Sequence, residues 1–140
     1  MAFFALVTTA DRTAIRVDLY RASEYYFRDE VIAWHDWIVV GFGERAFLVH
    51  ALDLHVLEIA LPLYFEAFRA SDEYLLILAG QGIVRLDPRG RVIWTNDQLA
   101  IDGVQLDAIE DGLIHGSGEW DPPGGWRPFR IRLDTGEIVA

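Results

Sequence analysis

Short apolar runs broken by turn residues fill this chain. Ile83-Val84-Arg85-Leu86 and Arg91-Val92-Ile93-Trp94 flank Asp87-Pro88-Arg89-Gly90. Proline presets φ for the first corner of a turn and glycine takes the left-handed one, so this stretch predicts a β-hairpin. Phe129-Arg130-Ile131-Arg132-Leu133 alternates apolar and cationic residues, the pattern of a half-buried strand, and Asp134-Thr135-Gly136 turns it into Glu137-Ile138-Val139. Asp102-Gly103 and Asp111-Gly112 mark two further turns. Two aromatic segments that end in charge, Glu24-Tyr25-Tyr26-Phe27-Arg28-Asp29-Glu30 and Leu63-Tyr64-Phe65-Glu66-Ala67-Phe68-Arg69, read as outer strands of their units.

The pattern repeats. An apolar residue followed by aspartate closes a strand at Val17-Asp18, Leu52-Asp53, Leu86-Asp87 and Leu133-Asp134, with aspartate spacings of 35, 34 and 47. A second series, Gly41-Phe42-Gly43, Gly80-Gln81-Gly82 and Gly116-Ser117-Gly118, is spaced 39 and 36, and each member follows an apolar strand. Two registers with one period near 35–38 residues imply stacked supersecondary units. The last unit is longer because about a dozen residues, Glu119 to Phe129, interrupt it. The expected fold is therefore all-β: a single domain over residues 1–140, an antiparallel meander of about nine to eleven short strands in four pseudo-repeats, propeller-like or a curled barrel or sandwich. The four aspartates should occupy equivalent hairpin turns, and the G-x-G segments should share one end of the fold. Glu137–Ala140 is expected to pair with Phe3–Thr8 and close the ring, giving a monomer; an unclosed set of units would instead form a homodimer.

Arg85-Leu86-Asp87-Pro88-Arg89-Gly90-Arg91-Val92-Ile93-Trp94 resembles the Leu-Asp-x-x-Thr-Gly-x-x-x-Trp turn of pyrroloquinoline-quinone-type β-propeller repeats, and Arg132-Leu133-Asp134-Thr135-Gly136-Glu137-Ile138 is similar but stops before the tryptophan. The resemblance implies a propeller-like architecture in which the tryptophan docks one blade on the next. It covers two of the four units and carries over no cofactor, because none of the quinone ligands can be placed here. Blades of about 40–45 residues would need at least ~160 residues for a four-bladed ring. Units of 35 imply blades that lack a strand, or a curled sheet that never closes.

Composition narrows the chemistry. The 140 residues are 52% hydrophobic and 24% charged, which fits a folded domain with its own core. Cysteine is absent, which removes disulfides, thiol catalysis and thiolate zinc sites. All twelve cations are arginine, which removes Schiff-base lysines and the P-loop lysine. A net charge of -10 opposes nucleic-acid binding and favours a basic protein partner or a cationic ligand. The apolar start Met1–Val7 has no cationic flank, and no run is long enough to span a bilayer, so no membrane association and a cytoplasmic location are expected.

Candidate sites follow from the motifs. Gly41-Phe42-Gly43-Glu44-Arg45-Ala46 fits the dinucleotide fingerprint G-x-G-x-x-A, which would need a helix over Ala46–Ala60; the recurrence of G-x-G favours a bend between strands instead. His50, Asp53 and His55 could ligate a metal only if a turn at Asp53 brings together histidines that a continuous strand would place on opposite faces, and no metal is assigned. His115, Ser117, Glu119 and Asp121 list the parts of a hydrolase, yet four residues within seven on one strand do not make a triad. The distinctive stretch is Glu119-Trp120-Asp121-Pro122-Pro123-Gly124-Gly125-Trp126-Arg127-Pro128-Phe129, in which tryptophans stand beside carboxylates and an arginine on a stiff loop. The binding site expected from it combines His115, Ser117, Glu119, Trp120, Asp121, Trp126 and Arg127 with Glu44 and Arg45. It suits a protein partner, or a cationic or hydroxyl-rich ligand. The alternative role for Trp120, Trp126 and Phe129 is to cap an open end of the core. The functional reading is a small acidic, non-enzymatic binding protein with no cofactor, an immunity or antitoxin-type protein being one concrete version; carbohydrate or small-ligand binding through the Trp-rich loop and an unrecognised hydrolase are the alternatives.

Overall fold

The computed structural model describes residues 3–8, 10–11, 14–20 and 27–140. Thirteen strands form four antiparallel sheets, with no helix among the described residues. The first sheet pairs β1 (Phe3–Thr8) with β2 (Ala14–Leu19). The second is the meander β3 (Glu30–Trp34), β4 (Trp37–Phe42), β5 (Arg45–His50) and β6 (Val56–Ala60). The third repeats that plan with β7 (Phe65–Ala70), β8 (Leu75–Ala79), β9 (Gly82–Leu86) and β10 (Val92–Asn96). The fourth holds β11 (Val104–Glu110), β12 (Leu113–Glu119) and β13 (Trp126–Arg132), extended by a bridge between Ile131 and Ile138.

Side-chain parity explains the stacking. Successive residues of a strand point to opposite faces, so a strand covered on both faces must be apolar throughout. β4 and β8 are buried at every position. In β4, Ile38, Val40 and Phe42 join a core with Ile15 and Leu19 of the first sheet, while Trp37 and Val39 join a core with the third. In β8, Leu75, Ile77 and Ala79 face that same second core, and Leu76 and Leu78 face Ile114 and Ile131 of the fourth sheet. Three cores thus lie between four layers in chain order. β12 differs: burial alternates along it, with Ile114, Gly116 and Gly118 buried and Leu113, His115, Ser117 and Glu119 only half-buried.

Indole hydrogen bonds fasten neighbouring layers. Trp94 Nε1 donates to Leu133 O at 2.9 Å, and its ring lies where a Cβ on Gly136 would come within 2.5 Å. Gly136 also has φ +75°, so no other residue fits that turn without strain. Trp37 Nε1 donates to Pro88 O at 2.9 Å, in the equivalent turn of the third sheet, and Trp34 Nε1 donates to Ser71 O at 2.7 Å. Asp87 shapes its turn by accepting from the amides of Arg89 and Arg91 and from Arg91 Nε.

Some expectations hold and others are corrected. Thirteen strands replace nine to eleven because β6 and β10, mostly exposed, lack the continuous apolar signal of their neighbours. Asp53, Asp87 and Asp134 do lie in or beside the turn after the third strand of their sheets, but Asp18 lies within β2, paired with Phe4. Phe65–Ala70 is, as expected, a strand at the edge of its sheet, and it packs against β3 and β4; Glu24–Tyr26 lie outside the described residues. Ala46–Ala60 forms β5, a turn and β6, so no helix N-terminus follows Gly41–Gly43 to hold a pyrophosphate. β1 pairs with β2, and Ile138 pairs with Ile131 of its own sheet, which is not the ring closure expected of the two termini. No described helix is long and apolar enough to cross a membrane.

Trp94, 8% exposed, is packed into the core between the third and fourth sheets. Trp94→Ala should lower stability by about 3–5 kcal/mol in denaturant titration, whereas Trp126→Ala, at a position 39% exposed, should change it by no more than about 1 kcal/mol.

Candidate functional site

One end of the stack is organised by the turn after the second strand of each sheet. Phe65 N donates to Gly43 O and Leu61 N to Glu44 O, at 2.7 and 3.1 Å; one unit later Gly103 N donates to Gly80 O and Leu99 N to Gln81 O, at the same two distances. Each chain crossing to the next sheet is therefore pinned on the preceding hairpin. The glycines permit this approach: a Cβ on Gly82 or Gly118 would lie 1.8 Å from the carbonyl oxygen of Asn96 or Leu99. Gly116-Ser117-Gly118 sits inside β12 rather than at its turn, because the inserted residues move that turn outward to 120–125.

The inserted loop is ordered by its own hydrogen bonds. Trp120 N donates to Gly125 O at 2.9 Å, Gly125 N to Asp121 O at 3.0 Å, and Glu119 Oε1 accepts from Gly124 N at 2.7 Å. The Pro122–Pro123 peptide is cis. The Arg127 guanidinium lies 6.0 Å above the Trp120 ring. A groove of about 700 Å³ opens beside them, lined by Trp120, Arg127, Phe129, Arg130, His115, Asp107, Gln98 and the 138–140 segment. It is deepened by Gly116, over which Phe129 lies: a Cβ there would sit 2.6 Å from Phe129 Cζ. Neither tryptophan is a fully buried cap, since Trp120 is half-buried and Trp126 exposed.

An acidic knot lies on the other side of the loop. Tyr64 donates to Asp102 Oδ1 at 2.6 Å, and both oxygens of Glu66 accept from Val104 N at 3.2 Å. A Cβ on Gly103 would lie 3.7 Å from both Glu66 Oε1 and Glu119 Oε2 and 3.1 Å from the Trp126 ring, so these groups converge on one backbone position. Burial raises the Glu66 carboxyl to about 7 from its ordinary 4.5; the Val104 amide opposes the shift and the Asp102 charge adds to it. Burial, together with the bond to Asp102, raises Tyr64 as well.

Of the site residues read from sequence, the groove gathers His115, Trp120 and Arg127, while Glu119 and Trp126 line the acidic side and Asp121 stands exposed at the loop tip. Ser117 shares a β12 face with His115 and Glu119, but Glu119 is engaged by Gly124 of the loop. Glu44 and Arg45 lie apart: they belong to the second sheet, where Arg45 pairs with Glu58 at 3.0 Å, and the third sheet stands between them and the loop. Sequence reasoning missed Tyr64, Glu66, Asp102, Asp107 and Arg130. Glu66 had one signal, a lone carboxylate within an aromatic strand; Asp107 had none, because it is the residue left over by the register shift between β11 and β12.

The histidine pair is the second cluster. His50 N donates to His55 O and Leu54 N to His50 O, both at 2.9 Å, so the two histidines close a hairpin turn and face one another. Leu54 takes φ +63° to make that turn. His55 is thereby returned to the side of His50, where a continuous strand would have separated them.

No protein-family model and no characterised protein sequence matches this chain.

The Glu66 shift has a definite sign. The folded state holds its proton more tightly than the unfolded chain, so stability should fall as pH rises from about 4.5 to about 7, and level off above that. Melting temperatures across this range should show the fall in the wild type, and Glu66→Gln should flatten it.

Proposed function

We propose that this chain is a non-enzymatic recognition module that binds another protein through the loop-bearing end of its fourth sheet. The observation that carries the reading is the difference between β12 and its counterparts. β4 and β8 are covered on both faces, whereas β12 is covered on one. By register the sheet's other face is mostly polar: Gln105, Glu110, His115, Ser117, Glu119, Arg130 and Arg132 stand among Ala108, Leu113, Trp126 and Pro128. Such a face suits water or a polar partner better than another apolar layer. At its edge stand Trp120 and Trp126, aromatic anchors of the kind that dominate protein interfaces.

Charge favours a protein over a uniform polyanion. Arg127 and Arg130 line the groove with Asp107, while Glu66, Asp102 and Glu119 gather around Gly103 on the other side, so a fitting partner carries both signs side by side. The net charge of -10 steers encounters toward a basic surface, which supports the immunity or antitoxin-type version of the reading. The repeated four-stranded meander and the Trp94–Gly136 contact support reading the units as propeller-type blades in an open arc. Absence of cysteine supports a cytoplasmic setting. A second reading, a hydroxyl-rich ligand stacked on Trp126, is favoured by the carboxylate of Glu119 near that ring.

Photo-crosslinking tests the proposal. A benzophenone residue at position 127 should capture a protein from the native cell that a probe at exposed position 52 does not, and Trp120→Ala should cut that capture at least tenfold with the melting temperature little changed. Identical adducts from both positions, or none from 127, would refute protein recognition at this end. Glycan binding lost on Trp126→Ala would establish the second reading instead.

A further inference from the structure

The β5–β6 turn lies at the end of the second sheet opposite its 43–44 turn, away from the recognition loop, and its three polar side chains converge. Asp53 Oδ1 lies 2.5 Å from His55 Nδ1 and 3.4 Å from His50 Nδ1. One donor atom from each of the three residues can be chosen so that all lie within 4.8 Å of one another. The imidazoles stack with centroids 5.0 Å apart and planes 14° from parallel. Both meet the buried Trp37 ring edge-on, at 5.1 and 5.2 Å, and Trp37 is itself fixed by its bond to Pro88 O. Leu52 N donates to His50 Nδ1 at 3.3 Å, so that nitrogen carries a lone pair and, in the neutral ring, the proton sits on Nε2. Two imidazole nitrogens and a carboxylate oxygen thus lie close together, against a rigid indole wall and open to solvent on the other side.

We infer that this turn binds a divalent first-row transition cation, best matched by Zn²⁺, through His50 Nδ1, Asp53 Oδ1 and His55 Nδ1. Imidazole and carboxylate are the ligand types that zinc takes at sites with an open position, here filled by water. Zinc bonds of about 2.0–2.2 Å in a tetrahedron set donor–donor edges of about 3.3 Å. The His50–Asp53 edge already has that length, at 3.4 Å. His55 has to move back by about 0.8 Å from Asp53, turn its ring out of the stack and release to water the Nδ1 proton it shares with the carboxylate, exchanging a hydrogen bond for a metal bond; both residues are exposed enough to do so. The long Leu52 contact gives way in the same step. The backbone bond from His55 N to Asp53 Oδ1, at 3.1 Å, holds the carboxylate in place throughout.

The test uses the full chain and Zn²⁺ in competition with a chromophoric chelator. One equivalent should bind, and His50→Ala, His55→Ala and Asp53→Asn should each weaken binding at least tenfold, while His35→Ala and His115→Ala should not. Asp53→Asn keeps a side-chain carbonyl to cap the turn, so its loss of binding separates ligation from folding. Long-range ¹⁵N spectra of the wild type give an independent readout: Zn²⁺ should shift the Nδ1 resonances of His50 and His55 alone. Failure to bind one equivalent, binding unchanged in the Asp53→Asn chain, or equal shifts at all four histidines would overturn the inference.

Discussion

The stack depends on two-sided burial of one strand in each of its two middle sheets, β4 and β8. A sheet with helices on neither face must find apolar cover from other sheets. β4 and β8 meet that need by sending alternate residues to opposite neighbours: Val39 and Ile77 to one shared core, Val40 to the core below it, Leu76 to the core above. Each of these strands therefore couples two cores at once. A polar residue at any of its positions would leave an unsatisfied group with no water within reach. The surrounding strands have more latitude, because β6 and β10 are largely open to solvent.

That constraint decides what could be read from the sequence. Continuous runs such as Trp37–Val40 and Leu75–Leu78 announce doubly covered strands, and Asp87–Gly90 announces its hairpin, so the all-β class and the repeat were legible. The fourth strands were not, because a mostly solvated edge strand carries little apolar signal. Asp18 was misplaced since a Val-Asp pair has no turn chemistry of its own; the turns at Asp87 and Asp134 also hold a glycine at positive φ, at Gly90 and Gly136. The expected pairing of the termini relied on a closed ring, a property of the whole arrangement rather than of either segment.

The candidate site divides in the same manner. The Trp-rich loop stood out because it breaks the period, and the structure places Trp120 and Arg127 beside the groove. Glu66 and Asp102 could not be paired in advance, since their proximity arises from the crossing between the third and fourth sheets, where Gly103 is hydrogen-bonded to Gly80. Glu44 and Arg45 were grouped with the loop by repeat equivalence alone. Equivalent positions do share an end of the stack, but each lies one layer away from the next. His50 and His55 show the converse: five residues apart in sequence, they became neighbours through a single left-handed residue, Leu54.

The indole sockets have one more consequence. Pro88 and Leu133 offer their carbonyls from corresponding turns, and each turn has a glycine against which an aromatic ring lies. Yet the rings arrive from different strands, Trp37 from the second of its sheet and Trp94 from the fourth of its own. The receiving turn is fixed while the donor is interchangeable. A layer built this way asks only that its predecessor reach the turn with some indole, whatever its origin. The joint is thus the same carbonyl-and-glycine socket in both layers, whichever strand supplies the indole.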